Sequence, residues 1–152
     1  MTEQEKWMKE AIKQAKLAYK HDEVPIGCVI VKDNEIIARG YNKREKLQQS
    51  YAHAEMIAIE KACKKIGSWR LEDCDLYVTL EPCPMCSGTI IQSRIKNVYY
   101  GASDPKGGCV GSLINIFEIK GFNHHPNYES GILKDDCSKL LKDFFKMKRN
   151  KA

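Results

Sequence analysis

Four residues in two short segments have the types and spacing for metal chemistry. Cys83 and Cys86 stand three apart in "EPCPMC" (81–86), and His53 and Glu55 stand two apart in "YAHAEMIA" (51–58). Cysteines three apart on a helix turn both sulfurs to one side. Pro84 suits the first turn of a helix, where its missing N–H costs nothing. The unpaired amides and positive dipole end of such a turn favour thiolates over thiols. A Cys-x-x-Cys pair alone is ambiguous among a structural zinc knuckle, a redox pair and half of a catalytic metal site. A four-cysteine structural site would need a second such pair, and the sequence has none. Cys28 sits in an apolar run, and Cys63 and Cys137 fall on apolar helix faces; these three read as small core residues. Cys74 and Cys109 lie in predicted loops, each isolated.

His53 supplies what the cysteine pair lacks. Two thiolates and a neutral imidazole are ligands of zinc type, and their charge balances the ion. Three protein ligands leave the fourth tetrahedral position to water, the arrangement of a catalytic site. Water so bound ionises at a pKa of roughly 7. It then needs a base, and Glu55 is a carboxylate beside one ligand. Within a helix, residues two apart diverge by about 200°, but at a helix N-terminus both can project into the space ahead of it. Taken singly, His53 reads as a core or capping histidine and Glu55 as a first-turn carboxylate stabilised by the helix dipole.

The rest of the chain must bring these segments together. It has 152 residues, 43% hydrophobic and 30% charged, an ordinary soluble balance with length enough for one real core. We expect a single domain over residues 1–152, without linker, repeat or low-complexity tract. No apolar run approaches the roughly 20 residues that span a bilayer, so no membrane association is expected. The start, "MTEQEKWMKEAIKQAK", lacks an apolar h-region and does not read as a secretory signal. Seven cysteines, an odd number without such a signal, argue for a reducing, cytoplasmic setting rather than a disulfide framework. A net charge of +5 and a pI near 8.8 are compatible with a polyanionic partner without demonstrating one.

Periodicity predicts an amphipathic helix over 3–20; the continuous apolar run 25–31, followed by 35–41 after the turn "KDN", predicts a hairpin with one buried strand. A helix over 53–67 would end at Gly67. Strands are expected over 75–81 and 97–102, flanking a helix over 84–95. A glycine-rich loop covers 103–112, followed by a short helix near 113–118 and a weak strand near 123–130. A final amphipathic helix covers 132–149. This α/β order predicts a mixed five-stranded sheet with helices on both faces.

His-x-Glu followed by Pro-Cys-x-x-Cys is the signature of zinc-dependent base deaminases. The chain as a whole resembles the bacterial tRNA-specific adenosine deaminases, within the cytidine-deaminase-like superfamily. The resemblance runs nearly end to end: "EVPIGCVIV" (23–31), "AHAE" (52–55), "WRL" (69–71), "LYVTLEPCPMC" (76–86), "SRI" (93–95), "YGASDPKGG" (100–108), "GSL" (111–113), "NH" (123–124) and "FFKMKR" (144–149). It implies a three-layer α/β/α sandwich, a homodimer with one Zn²⁺ per subunit, and hydrolytic conversion of adenosine to inosine at the wobble position of tRNA anticodons. His53, Cys83 and Cys86 carry over as zinc ligands and Glu55 as the proton shuttle. Asn42 matches the residue that holds the target nucleoside, and Val24, Pro25, Ala54 and Pro82 match the pocket surroundings. Asp104 and Lys106 match the loop that meets the anticodon stem-loop.

Read without the resemblance, Asn42 is a turn asparagine at the end of a strand. Lys146, Lys148 and Arg149 follow two aromatics in the tail and suit phosphate contact; a solvated helix end has the same composition. Ser50-Tyr51 replaces the family's usual Pro-Thr before "AHAE", and His125 its usual Arg after "NH". Two other functions share the zinc signature or the basic tail. One is deamination of a free base or nucleoside of guanine or cytidine type; the other is a non-catalytic zinc-stabilised RNA-binding module. The open coordination position beside Glu55 speaks against the second.

Overall fold

The chain's apolar pattern needs two faces to bury, and a sheet between two helix layers provides them. A computed structural model describes residues 1–151. Helix α1 (Glu3–Lys20) is opened by a capping box, in which the Thr2 hydroxyl accepts from the Glu5 amide and the Glu5 carboxylate accepts from the Thr2 amide. The hairpin of β1 (Gly27–Lys32) and β2 (Glu35–Tyr41) turns at Asp33 and Asn34, both at positive φ of 50° and 61°. That is the two-residue turn whose twist suits paired strands. A four-residue helix, α2 (Arg44–Leu47), follows, too short to carry a periodic signal. Next come α3 (Ala54–Ile66), β3 (Asp75–Leu80), α4 (Pro84–Gln92), β4 (Asn97–Ala102), β5 (Asn127–Glu129) and α5 (Lys134–Lys151).

The strands lie in the order β2-β1-β3-β4-β5. Strand β1 pairs antiparallel with β2 and β3, while β3, β4 and β5 run parallel. One face of the sheet packs on α3 and α4 through Cys28, Ile30, Leu76, Val78, Ala58, Ile90 and Ile95. The other packs on α1 and α5 through Val29, Val31, Tyr77, Met8, Ala11 and Cys137. Strand residues alternate between the two clusters, as a pleated sheet buried on both sides requires. The predicted α/β/α sandwich with a mixed five-stranded sheet is what forms.

Local differences from the sequence reading have physical causes. The 84–95 helix stops at Gln92, because Arg94 turns to a φ of 62° and the chain re-enters the sheet. The region 113–118 keeps only a 3-10 turn, Ile116–Glu118, capped by the Asn115 side chain. The 123–130 strand shrinks to three exposed residues at the sheet edge. All seven cysteines are free. Cys28 and Cys137 are buried and Cys63 packs partly buried against the first cluster, as expected; Cys74 and Cys109, expected in loops, are buried as well.

Candidate active site

Four chain reversals meet at one end of the sheet. The start of β1, the end of β2 and the carboxyl ends of parallel β3 and β4 all open on this side, the usual location for a site in such a sheet. His53 is the N-cap of α3, with φ −80° and ψ 155°, yet its side chain makes no capping bond. The imidazole is thus free for another task. Cys83 is the N-cap of α4, with Pro84 at its first turn, and its sulfur accepts from the Cys86 amide at 3.5 Å. Two helix N-termini therefore bring together two soft sulfurs and an imidazole nitrogen.

His53 Nδ1 lies 3.6 Å from both Cys83 Sγ and Cys86 Sγ. The ligand atoms of these three residues all lie within 4.8 Å of one another. A tetrahedral zinc with Zn–S near 2.3 Å and Zn–N near 2.0 Å sets S···N at about 3.5 Å. The donor set and its spacing fit that ion. The electrostatics already favour a thiolate: a hydrogen bond from Cys86 outweighs burial and, helped by His53, pulls the Cys83 thiol down to about 4. The hydrogen bond to Cys83, then burial, pushes Cys86 up. The Cys83 hydrogen bond also raises the imidazole of His53 above its usual range.

Glu55 is 4% exposed and lines a cavity of about 590 Å³ together with His53 and Cys83. Burial, with the Cys83 thiolate adding to it, lifts its carboxyl to about 7, a value suited to giving and taking a proton near neutral pH. Asn42, just beyond β2, also lines the cavity. Its Oδ1 accepts from the Arg44 amide at 3.3 Å and its Nδ2 donates to the Val24 carbonyl at 3.4 Å. It is both the expected turn asparagine and a wall residue. Val24, Asp104 and Lys106 line the same cavity. Pro25, Ala54 and Pro82 are buried and are not among the lining residues.

Lys146, Lys148 and Arg149 do not line the cavity either, although Leu141 and Phe145 of the same helix do. Lys148 pairs with Asp22 at 2.6 Å, and its ammonium lies over the Phe144 ring. Ser50-Tyr51 and His125 lie outside the cavity wall, with His125 Nδ1 2.8 Å from the Phe117 carbonyl oxygen.

Sequence reasoning missed several wall residues: Arg44, Leu141 and Phe145, together with Ser103 and Glu81. It also missed Glu23, 2% exposed, whose carboxylate accepts from the Glu45 amide at 3.0 Å and the Lys46 amide at 2.7 Å. This buried anion holds the first turn of α2 beside Asn42. An acidic residue directly before an apolar strand was the available signal.

The chain matches the MafB19-like deaminase family over residues 2–149. It is 54% identical to a tRNA-specific adenosine deaminase of Bacillus subtilis (strain 168), covering 99% of this chain and 94% of that one. A tRNA-specific adenosine deaminase of Streptococcus pyogenes serotype M1 is 48% identical, over 99% and 88% of the two chains. The chain belongs to the tRNA-specific adenosine deaminases. A solved structure from studies of A-to-I editing at the wobble position of transfer RNA superimposes with a TM-score of 0.85 at 44% identity, covering 88% of this deaminase and 97% of the other chain. A guanine deaminase from Nitrosomonas europaea superimposes at TM-score 0.77 with 22% identity, over 92% of this deaminase and 83% of that chain, a likeness of fold alone.

Proposed function

We propose that this deaminase converts adenosine to inosine by hydrolysis at the wobble position of tRNA anticodons, with zinc held by His53, Cys83 and Cys86. The observation that carries the reading is Glu55: a buried carboxylate facing the cavity from the helix turn whose N-cap is His53. Relatives named for this activity at 54% and 48% identity support the substrate. Zinc, when bound, supplies a water acidic enough to act as nucleophile near neutral pH. Glu55 takes the proton released there and delivers it to adenine N1. Hydroxide adds to C6 as N1 is protonated. Glu55 then takes the proton of the new C6 hydroxyl and gives it to the amine, which leaves as ammonia, and the C6 carbonyl of inosine remains. One carboxylate thus serves as base and then as acid.

Asn42 holds the nucleoside by its side-chain amide, and Val24 and Ile26 wall the base. Asp104 and Lys106 border the entrance, where the anticodon stem-loop would lie with its target base splayed out of the stack. A second copy of the chain is the partner we assign to exposed apolar side chains such as Trp69, Leu113 and Ile114, which are 54%, 57% and 53% exposed. Free cysteines are in keeping with work in the reducing cytoplasm.

The deciding experiment is mass spectrometry of nucleosides from tRNA incubated with the protein, beside parallel incubations with free guanine, cytidine and adenosine. Inosine at the wobble position of tRNA, without turnover of the small substrates, is the expected result. Turnover of free guanine in place of tRNA would overturn the assignment.

A further inference from the structure

We propose that Glu81 is a positioning residue that anchors the Asp104–Ser112 loop at the cavity entrance and so sets affinity for the RNA, with no part in the chemical step. The proposal rests on the reading that the cavity takes a tRNA nucleotide. Glu81 follows β3, two residues before the Cys83 ligand, and is 2% exposed. Its Oε1 accepts from the Asp104 amide at 3.0 Å and from the Ser112 hydroxyl. Its Oε2 accepts from the amides of Val110 and Ser112, each at 3.0 Å.

A carboxylate has about four lone-pair sites, and these four donors occupy them. Glu81 therefore keeps no capacity to act as a base or a ligand. It is the hub around which the loop folds. A Cβ on Gly108 would fall 2.2 Å from the Glu81 carboxyl carbon, so only glycine lets the chain pass the anion there. The loop's remaining bonds follow from that anchor. Asp104 Oδ1 accepts from the amides of Lys106 and Gly107, each at 3.1 Å, and the Cys109 amide donates to the Pro82 carbonyl at 3.0 Å. The segment so fixed presents Asp104, Pro105 and Lys106 to the cavity.

Glu81→Gln keeps the shape but turns an NH₂ group toward backbone donors. The test is single-turnover inosine formation on a tRNA against enzyme concentration, for wild type, Glu81→Gln, Ser112→Ala and the double variant. Loss of buried hydrogen bonds of this kind should raise the half-saturating concentration by about tenfold in Glu81→Gln and about threefold in Ser112→Ala. Ser112→Ala should keep maximal rate and zinc content at wild-type level, because Ser112 lies outside the cavity lining. The double variant should be no worse than Glu81→Gln, because Ser112 works through that carboxylate.

A residue that merely stabilises the fold would leave half-saturation unmoved. A fall in maximal rate or zinc content at unchanged affinity, or additive effects in the double variant, would overturn the proposal. Should Glu81→Gln not fold, Ser112→Ala decides, and an unchanged half-saturation there overturns it. Amide hydrogen exchange gives a readout independent of substrate: the amides of Asp104, Val110 and Ser112 should exchange about tenfold faster in Glu81→Gln, with α3 unchanged. If wild type made no inosine in tRNA, the substrate assignment would fail, and the exchange rates would still decide the anchor.

Discussion

A Cβ added to Gly40 would stand 2.5 Å from the carbonyl oxygen of Ala54 and 2.9 Å from the Ala58 nitrogen. Strand β2 and helix α3 thus touch backbone to backbone at the turn that carries His53 and Glu55. Gly40→Ala should force the helix away from the sheet, destabilise the fold by about 1–3 kcal/mol and lower zinc occupancy with it. Gly88 in α4 offers the contrast, since a Cβ there meets nothing within 4 Å. Gly88→Ala should stabilise by about 0.5–1 kcal/mol through helix propensity. Denaturant unfolding and metal analysis of both variants check the pair.

The three donors define one site, so purified protein should carry about one zinc per chain. Cys83→Ala and His53→Ala should each lose the metal, and chelation should abolish turnover, with recovery on adding zinc back. A metal-free, fully active preparation would remove the site from the chemistry.

Glu55→Gln should hold zinc, because Glu55 is outside the donor set. Turnover should fall by about 10²–10⁴, the usual worth of positioned general acid–base catalysis. The readout is inosine formed at saturating tRNA. A rate near wild type would show that another group moves the protons.

The tail residues should not be equivalent. Leu141 and Phe145 line the cavity, and Arg149 continues their row at i, i+4 spacing on the same helix face. Lys148 is already paired with Asp22, and Lys146 is exposed and lies off that row. Arg149→Ala should weaken tRNA binding most and flatten its salt dependence by about one counterion. Single-turnover titrations at two salt concentrations would show it, and equal effects of all three substitutions would contradict this ranking.

Burial pushes the Cys137 thiol up to about 12. Below the ordinary thiol range both folded and unfolded chains keep this proton, and no stability depends on it. Above about pH 9 the unfolded chain releases it while the folded chain does not. The native state therefore loses up to about 1.4 kcal/mol per pH unit from this group until about pH 12. Cys137→Ala should unfold with a shallower alkaline decline than wild type, as measured by denaturant midpoints between pH 8.5 and 10.5.

The order of elements and the donor set were legible because they rest on local physics. Near-continuous apolar runs mark β1 and β3, as strands buried on both faces require; the 3.6-residue period marks α1 and α5, Pro84 marks a helix start and Gly67 a helix end. His53, Glu55, Cys83 and Cys86 announce themselves by type and spacing. Folding decided what spacing cannot: it sets an imidazole from one helix cap 3.6 Å from the sulfurs of another. It also placed Leu141 and Phe145 of the last helix in the wall, about a hundred residues from Asn42. Glu23 and Glu81 read in the sequence as ordinary acidic residues beside strands. Only tertiary structure shows them buried, because the amides they hold come from segments about 20 to 30 residues away and no local pattern records that pairing.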